Sequence, residues 1–124
     1  MKKVEWVLRI GIFGTFLGHG IFAINRKTEW LIYLTTVGIP SNTAPDFLQF
    51  IGILDILVAF IILIKPIKTV VIWAFIWAIA TALIRPISGL PIWDFVERAT
   101  NWAAPLALFL IKRWPKNIKG WFKE

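Results

Sequence analysis

Cysteine is absent from the 124 residues of the chain. Disulfides, thiolate chemistry and Cys-ligated metals or clusters are therefore excluded, and cysteine usage says nothing about the redox compartment. Histidine occurs once, at His19. A lone imidazole with no second His and no Cys is a poor metal or haem ligand set, so no metal site is expected and haem is disfavoured. Acidic residues are few, 7 against 14 Lys and Arg. The chain has no nucleophile–base pairing, Gly-rich phosphate loop or metal-spaced cluster, so no catalytic residue and no reaction are assigned. It also lacks internal repeats, low-complexity tracts and linkers, which leaves room for one domain, residues 1–124.

What the chain has in quantity is apolar surface. Hydrophobic residues make up 58% of it and mean hydropathy is +0.73, whereas soluble domains are about 45–50% apolar. Eight Trp in so short a chain also favour membrane–water interfaces. A net charge of +7 would suit nucleic acid if it lay along one exposed face. The basic residues stand instead at the ends of apolar runs, which makes the partner a lipid bilayer and not nucleic acid. Met1-Lys2-Lys3 before an apolar run mimics a signal peptide. Glu5 and Arg9 interrupt that run, and no small-x-small cleavage site follows, so it reads as a retained first helix.

A spanning helix needs about 20 mostly apolar residues. The expected fold class is all-α: a four-transmembrane-helix bundle spanning 4–23, 47–64, 69–84 and 92–111, with a basic tail at 112–124. Residues 30–37 are apolar but too short to cross. They form a short interfacial or re-entrant segment between helices one and two, with Trp30 and Tyr33 as anchors. In the tail, Trp114 and Trp121 are placed as interface anchors. One set of helix ends carries Lys2, Lys3, Lys65, Lys68, Lys112, Arg113, Lys116, Lys119 and Lys123, and the other Arg26, Lys27, Arg85 and Arg98. The positive-inside rule then predicts a multi-pass protein of the cell membrane with both termini cytoplasmic.

Polar groups inside the spans are expensive and mark the places of interest. Asp55 lies about nine residues from either end of its span, near the midplane at roughly 1.5 Å per residue. An unpaired carboxylate there costs about 2.5–3.5 kcal/mol, so an intramembrane ion pair of Arg9 with Asp55 is predicted, with Glu5 competing for Arg9 from one turn away. Such a pair would fix helix register, or would form a site where Asp55 changes charge. Toward the opposite face, His19, Thr81, Arg85, Glu97 and Asn101 are placed to converge with Asp55 on a polar-walled, outward-facing pocket. Pro105 should kink the fourth helix near Asn101. Gly11, Gly14 and Gly18 share one face of the first helix, where small residues permit close packing. Trp73, Trp77, Trp93 and Trp102 are either packing residues or a stacking surface for a flat ligand such as a quinone ring.

These residues carry a resemblance. Arg9…Gly14…Phe16…His19-Gly20, the segment ending in Gly38-Ile39-Pro40, and Gly52-x-x-Asp55 resemble DoxX-type membrane proteins. Trp77 to Arg85-Pro86, then Trp93…Glu97-Arg98…Asn101-Trp102…Pro105-Leu106, resembles a DoxX-like subgroup. Asp55 stands where that pattern has Glu, which shortens the reach to Arg9. The resemblance implies a four-helix membrane bundle associated with quinone-linked sulfur oxidation or oxidative-stress assemblies, whose catalytic parts often sit on partner chains. The favoured expectation is an accessory or binding subunit that holds a hydrophobic ligand or a partner protein. The alternative is a quinone-linked oxidoreductase subunit, with quinone as the cofactor it would use. Partner subunits and further copies of the chain are the protein partners implied. A transporter with Asp55 as its proton site lacks the inverted repeat and paired broken helices that such folds use.

Overall fold

The computed structural model describes residues 2–112 and 114–124; Arg113, counted above among the basic ends, lies outside them. The described residues are helical, with turns between and no strand. The helices are α1 (Lys2–Ile24), α2 (Leu31–Thr36), α3 (Ala44–Ile64), α4 (Lys68–Ile87), α5 (Ile92–Val96) and α6 (Ala99–Leu110). Single turns of 3-10 helix at Thr28–Trp30 and Lys119–Phe122 flank them.

Three helices, α1, α3 and α4, with 23, 21 and 20 residues, are long and apolar enough to cross a membrane. Their outward faces are apolar as well: Phe50, Ile53, Leu57, Phe60 and Ile64 of α3 are all exposed. A helix that is apolar all round is at home in lipid, not in water. The segment expected to cross as a fourth helix, 92–111, is two helices. It breaks at Glu97-Arg98, where the Arg98 guanidinium donates to the Asp94 carbonyl at 3.0 Å and meets Glu97 Oε1 at 2.6 Å. The kink predicted at Asn101 thus falls earlier. Asn101 instead lies in the first turn of α6, which runs unbroken through Pro105. With 12 residues α6 extends only roughly 18 Å.

The bundle is built from two close pairs. In the first, α1 crosses α3 at Gly20 and Gly52, both buried. A Cβ at Gly52 would stand 2.6 Å from the Gly20 carbonyl oxygen and 2.7 Å from the Ile24 nitrogen. The stripe expected to do this packing, Gly11, Gly14 and Gly18, has nothing within 4 Å of its would-be Cβ positions. It faces away because the buried face of α1 runs through Arg9, Ile12, Phe16, Gly20 and Ala23. In the second pair, α4 turns Ala74, Ala78 and Ala82 inward and packs on α6. Small side chains let both pairs approach closely where hydrophobic burial against lipid offers little drive.

The pairs join through α1 against α6, and through a core of Ile12, Phe16, Val58, Ala59, Ile62, Val71, Ala74, Leu108 and Phe109. This core fills the end of the bundle that carries the Lys65-Pro66-Ile67 link. There α1 begins and α6 ends, as the Glu5–Lys112 ion pair records. The tail folds back onto the same end. The Lys68 N–H donates to the Lys123 carbonyl at 2.9 Å, the Thr69 hydroxyl bonds the Trp121 carbonyl, and Trp121 stacks on Phe109 with ring centroids 6.0 Å apart. Trp121, expected as an interface anchor, is therefore a packing residue, whereas Trp114 is 63% exposed.

At the opposite end, Arg26 meets Asp46 at 3.0 Å and Gln49 at 3.2 Å, and the Ser88 hydroxyl meets that of Thr36 at 3.1 Å. Arg26 itself has φ 56, the left-handed geometry of a residue that closes a helix. Its neighbour Lys27 donates to the Phe22 carbonyl at 3.1 Å, completing the turn. Although the link between them is short, α3 and α4 touch little and leave a cleft.

Candidate functional site

A cavity of about 350 Å³ occupies that cleft above the core. Its walls come from four helices. His19 and Ala23 project from α1, and Tyr33, Leu34 and Val37 from α2 and its end. Phe47, Leu48, Ile51 and Asp55 come from α3, and Trp77, Ala80, Thr81, Ile84 and Arg85 from α4. Trp30 and Ile39 complete the lining. The size lies within the range of small-molecule sites, and a mostly apolar wall with a few convergent polar groups is their usual composition.

Helix periodicity explains the placement. Leu48, Ile51 and Asp55 recur at steps of three and four on α3, as do Trp77, Thr81 and Arg85 with Ile84 on α4. The short helix α2 caps the cleft. It packs on α3 and α4 through Leu34, which joins Ala23, Ala44, Leu48 and Ile51 in a second apolar cluster.

Of the six expected pocket residues, four meet: His19, Asp55, Thr81 and Arg85. Glu97 and Asn101 do not line the cavity, because the break at Glu97-Arg98 turns that stretch away. Glu97 is exposed and pairs with Arg98. His19 is half-buried and meets the Trp30 ring edge-to-face at 5.5 Å. Thr81 donates its hydroxyl to the Ala78 carbonyl at 3.0 Å. Arg85 is 4% exposed, donates to the Thr81 carbonyl at 2.5 Å and lies 5.0 Å from the Tyr33 ring centroid.

The expected Arg9–Asp55 ion pair is not formed. Arg9 is 6% exposed, yet its Nε donates to the Ile62 carbonyl at 3.0 Å and a terminal nitrogen to the Leu63 carbonyl. Those carbonyls belong to the last turn of α3, where helix geometry leaves them without N–H partners. Arg9 therefore caps the negative end of α3, and its guanidinium also stands 3.9 Å from the Trp6 ring centroid. Glu5, the expected competitor for Arg9, pairs with Lys112 instead. Asp55 is left 4% exposed with no hydrogen-bond partner for Oδ1 among the described residues. The Trp77 indole lies beside its carboxyl.

Among the expected stacking tryptophans, only Trp77 lines this cavity. Trp73 stacks on it at 5.6 Å and faces a second, shallower groove between α3 and α4. Trp93 is 71% exposed, and Trp102 meets Phe75 at 6.4 Å. The aromatics not foreseen as lining residues are Trp30, Tyr33 and Phe47. Trp30 and Tyr33 had one visible signal, their place in an apolar segment too short to span. No group of three or more His, Asp or Glu that could hold a metal occurs among the described residues. No family model, curated protein or solved structure matches this chain.

Proposed function

We propose that the protein is an integral membrane binding subunit of the DoxX-like type, and that it holds a hydrophobic ligand in the cleft between α3 and α4. The observation that carries this reading is a largely apolar cavity whose only buried charged groups, Asp55 and Arg85, have no ion-pair partner among the described residues. A buried charge left so is destabilising unless something supplies its partner. A binding role agrees with a sequence in which no nucleophile–base pairing and no phosphate loop stands out, and with described residues that hold no metal cluster.

The test is to fill the cavity. Ile51→Trp puts a larger side chain into the wall, whereas Ile53→Trp on the same helix points outward from a position 58% exposed. Native mass spectrometry of the detergent-solubilised protein with added dodecanol should show a bound molecule on wild type and on Ile53→Trp, and at least about tenfold less on Ile51→Trp. Equal occupancy on all three would remove the reading.

In the same proposal α5 and α6 together make the fourth crossing, with the Glu97-Arg98 break near the α2 end and both termini on the cytoplasmic side. The shared end of α1, α6 and the tail supports it, as does the weight of Lys and Arg there. Because the chain has no cysteine, single cysteines can report sidedness directly. Cysteines at Lys3, Lys65 and Lys116 should resist an impermeant maleimide added to whole cells, and cysteines at Thr28 and Ser88 should react. Labelling of Lys3 and Lys116 positions on opposite sides would give an odd number of crossings and refute the topology.

A further inference from the structure

The two buried ionisable side chains without ion-pair partners do not lie together. Asp55, beside Trp77, lines the cavity one helical turn from Val58 and Ala59 of the core. Arg85 lies two turns further along α4, and its guanidinium folds back only to the Thr81 carbonyl. The rise per residue separates the two groups by on the order of 10 Å, and they make no ion pair with each other. Asp94 and Glu97 lie in the region of Arg85, but neither comes within ion-pairing distance of it. Lys27 and Arg98 add positive charge on that side, near His19.

A guanidinium has five N–H donors in a planar fork suited to carboxylate or phosphate, and Arg85 spends one of them on Thr81. The Asp55 carboxyl has an oxygen with nothing to accept from. Apart from His19 and Thr81 the rest of the wall is apolar, with Leu48, Ile51 and Ile84 beside the aromatic Tyr33 and Trp77.

We propose that the ligand is an elongated amphiphile with an acidic group at one end, held by Arg85, and a hydrogen-bond donor at the other, held by Asp55. The donor is a hydroxyl or an amine, and the body between is apolar. This inference rests on the cavity being a binding site and names what it selects. Each end group supplies the counterpart that the chain withholds from the corresponding side chain, so neither side chain is left without a polar partner once the site is filled.

The experiment compares three probes of one chain length: octanol, octanoic acid and ω-hydroxyoctanoic acid, titrated calorimetrically into wild type, Arg85→Met, Asp55→Leu and Ile51→Trp in the same detergent. On wild type the hydroxy acid should bind about tenfold more tightly than either single-headed probe, the worth of one hydrogen bond to a charged group. Arg85→Met should bring the hydroxy acid level with octanol, and Asp55→Leu should bring it level with octanoic acid. Equal affinities for the three probes on wild type overturn the inference whatever the variants do, as does equal weakening of all three in either charge variant. If all three still bind Ile51→Trp as they bind wild type, the cavity itself is not the binding site.

Discussion

Gly52→Ala is expected to destabilise the protein by about 2 kcal/mol, and Gly52→Leu to prevent α1 and α3 from docking. The added Cβ would stand 2.6 and 2.7 Å from backbone atoms of α1. Backbone atoms, unlike the tip of a side chain, cannot swing aside, so the helices must part. Gly20→Ala should behave similarly, because its Cβ would lie 2.9 Å from the Gly52 carbonyl oxygen. Its 2.6 Å approach to Ile56 is to a side-chain carbon that can move, so the loss should be smaller. Gly14→Ala, with open space around it, should change stability by no more than about 0.5 kcal/mol. Equilibrium unfolding in mixed micelles, as SDS is raised, separates these outcomes. A Gly14 variant as damaging as the Gly52 variant would mean that the α1–α3 contact is made elsewhere.

Arg9→Met should cost about 2–4 kcal/mol in the same assay. The guanidinium makes two hydrogen bonds, one buried and one part-buried, to carbonyls in the last turn of α3, and each charged bond contributes about 1.5–3 kcal/mol. Met keeps the apolar stem but leaves both carbonyls bare. Asp55→Asn should cost little, and the double variant should lose the sum of the single losses to within about 0.5 kcal/mol. A coupling of more than about 1 kcal/mol between the two positions would restore the ion pair that the geometry denies. The two results together separate a cap on a helix end from a salt bridge across the bundle.

The Arg9 case shows where a one-dimensional reading stops. From the sequence, a basic and an acidic group inside apolar spans are each costly, and pairing them is the cheapest remedy in view. Helix ends are a second remedy, and they become visible only once the helices are laid side by side. Arg9 near the start of α1 comes opposite the end of α3, where carbonyls wait for donors. The glycines failed for a related reason. Period alone brings Gly11, Gly14 and Gly18 onto one face, but it does not say which face meets a neighbour.

Other elements were legible. The Lys65-Pro66 link ends α3 at Ile64, where the expected span 47–64 stops, because charge and proline interrupt the apolar run there; at its other end the helix starts earlier than expected, at Ala44. The short segment after α1 was visible by its length, and it did form α2. Its role as a cavity wall depends on long-range packing, which no local signal carries. Arg98 was the unforeseen residue of the last segment. Its bonds to Asp94 and Glu97 stabilise a break, and so move Glu97 and Asn101 out of the cluster they had been assigned to.

The cleft between α3 and α4 has a bearing on how affinity should be measured. Its rim includes Phe47, 43% exposed, and Val37, 63% exposed, so the mouth is lined with oily groups and not with charges. A molecule using that doorway would come sideways from the acyl chains, after first dissolving in them. The concentration that governs occupancy is then the mole fraction in the bilayer, not the molarity in the buffer. Diluting a sample with empty vesicles would then strip an amphiphile of the proposed kind even at fixed total amount, and adding water would not.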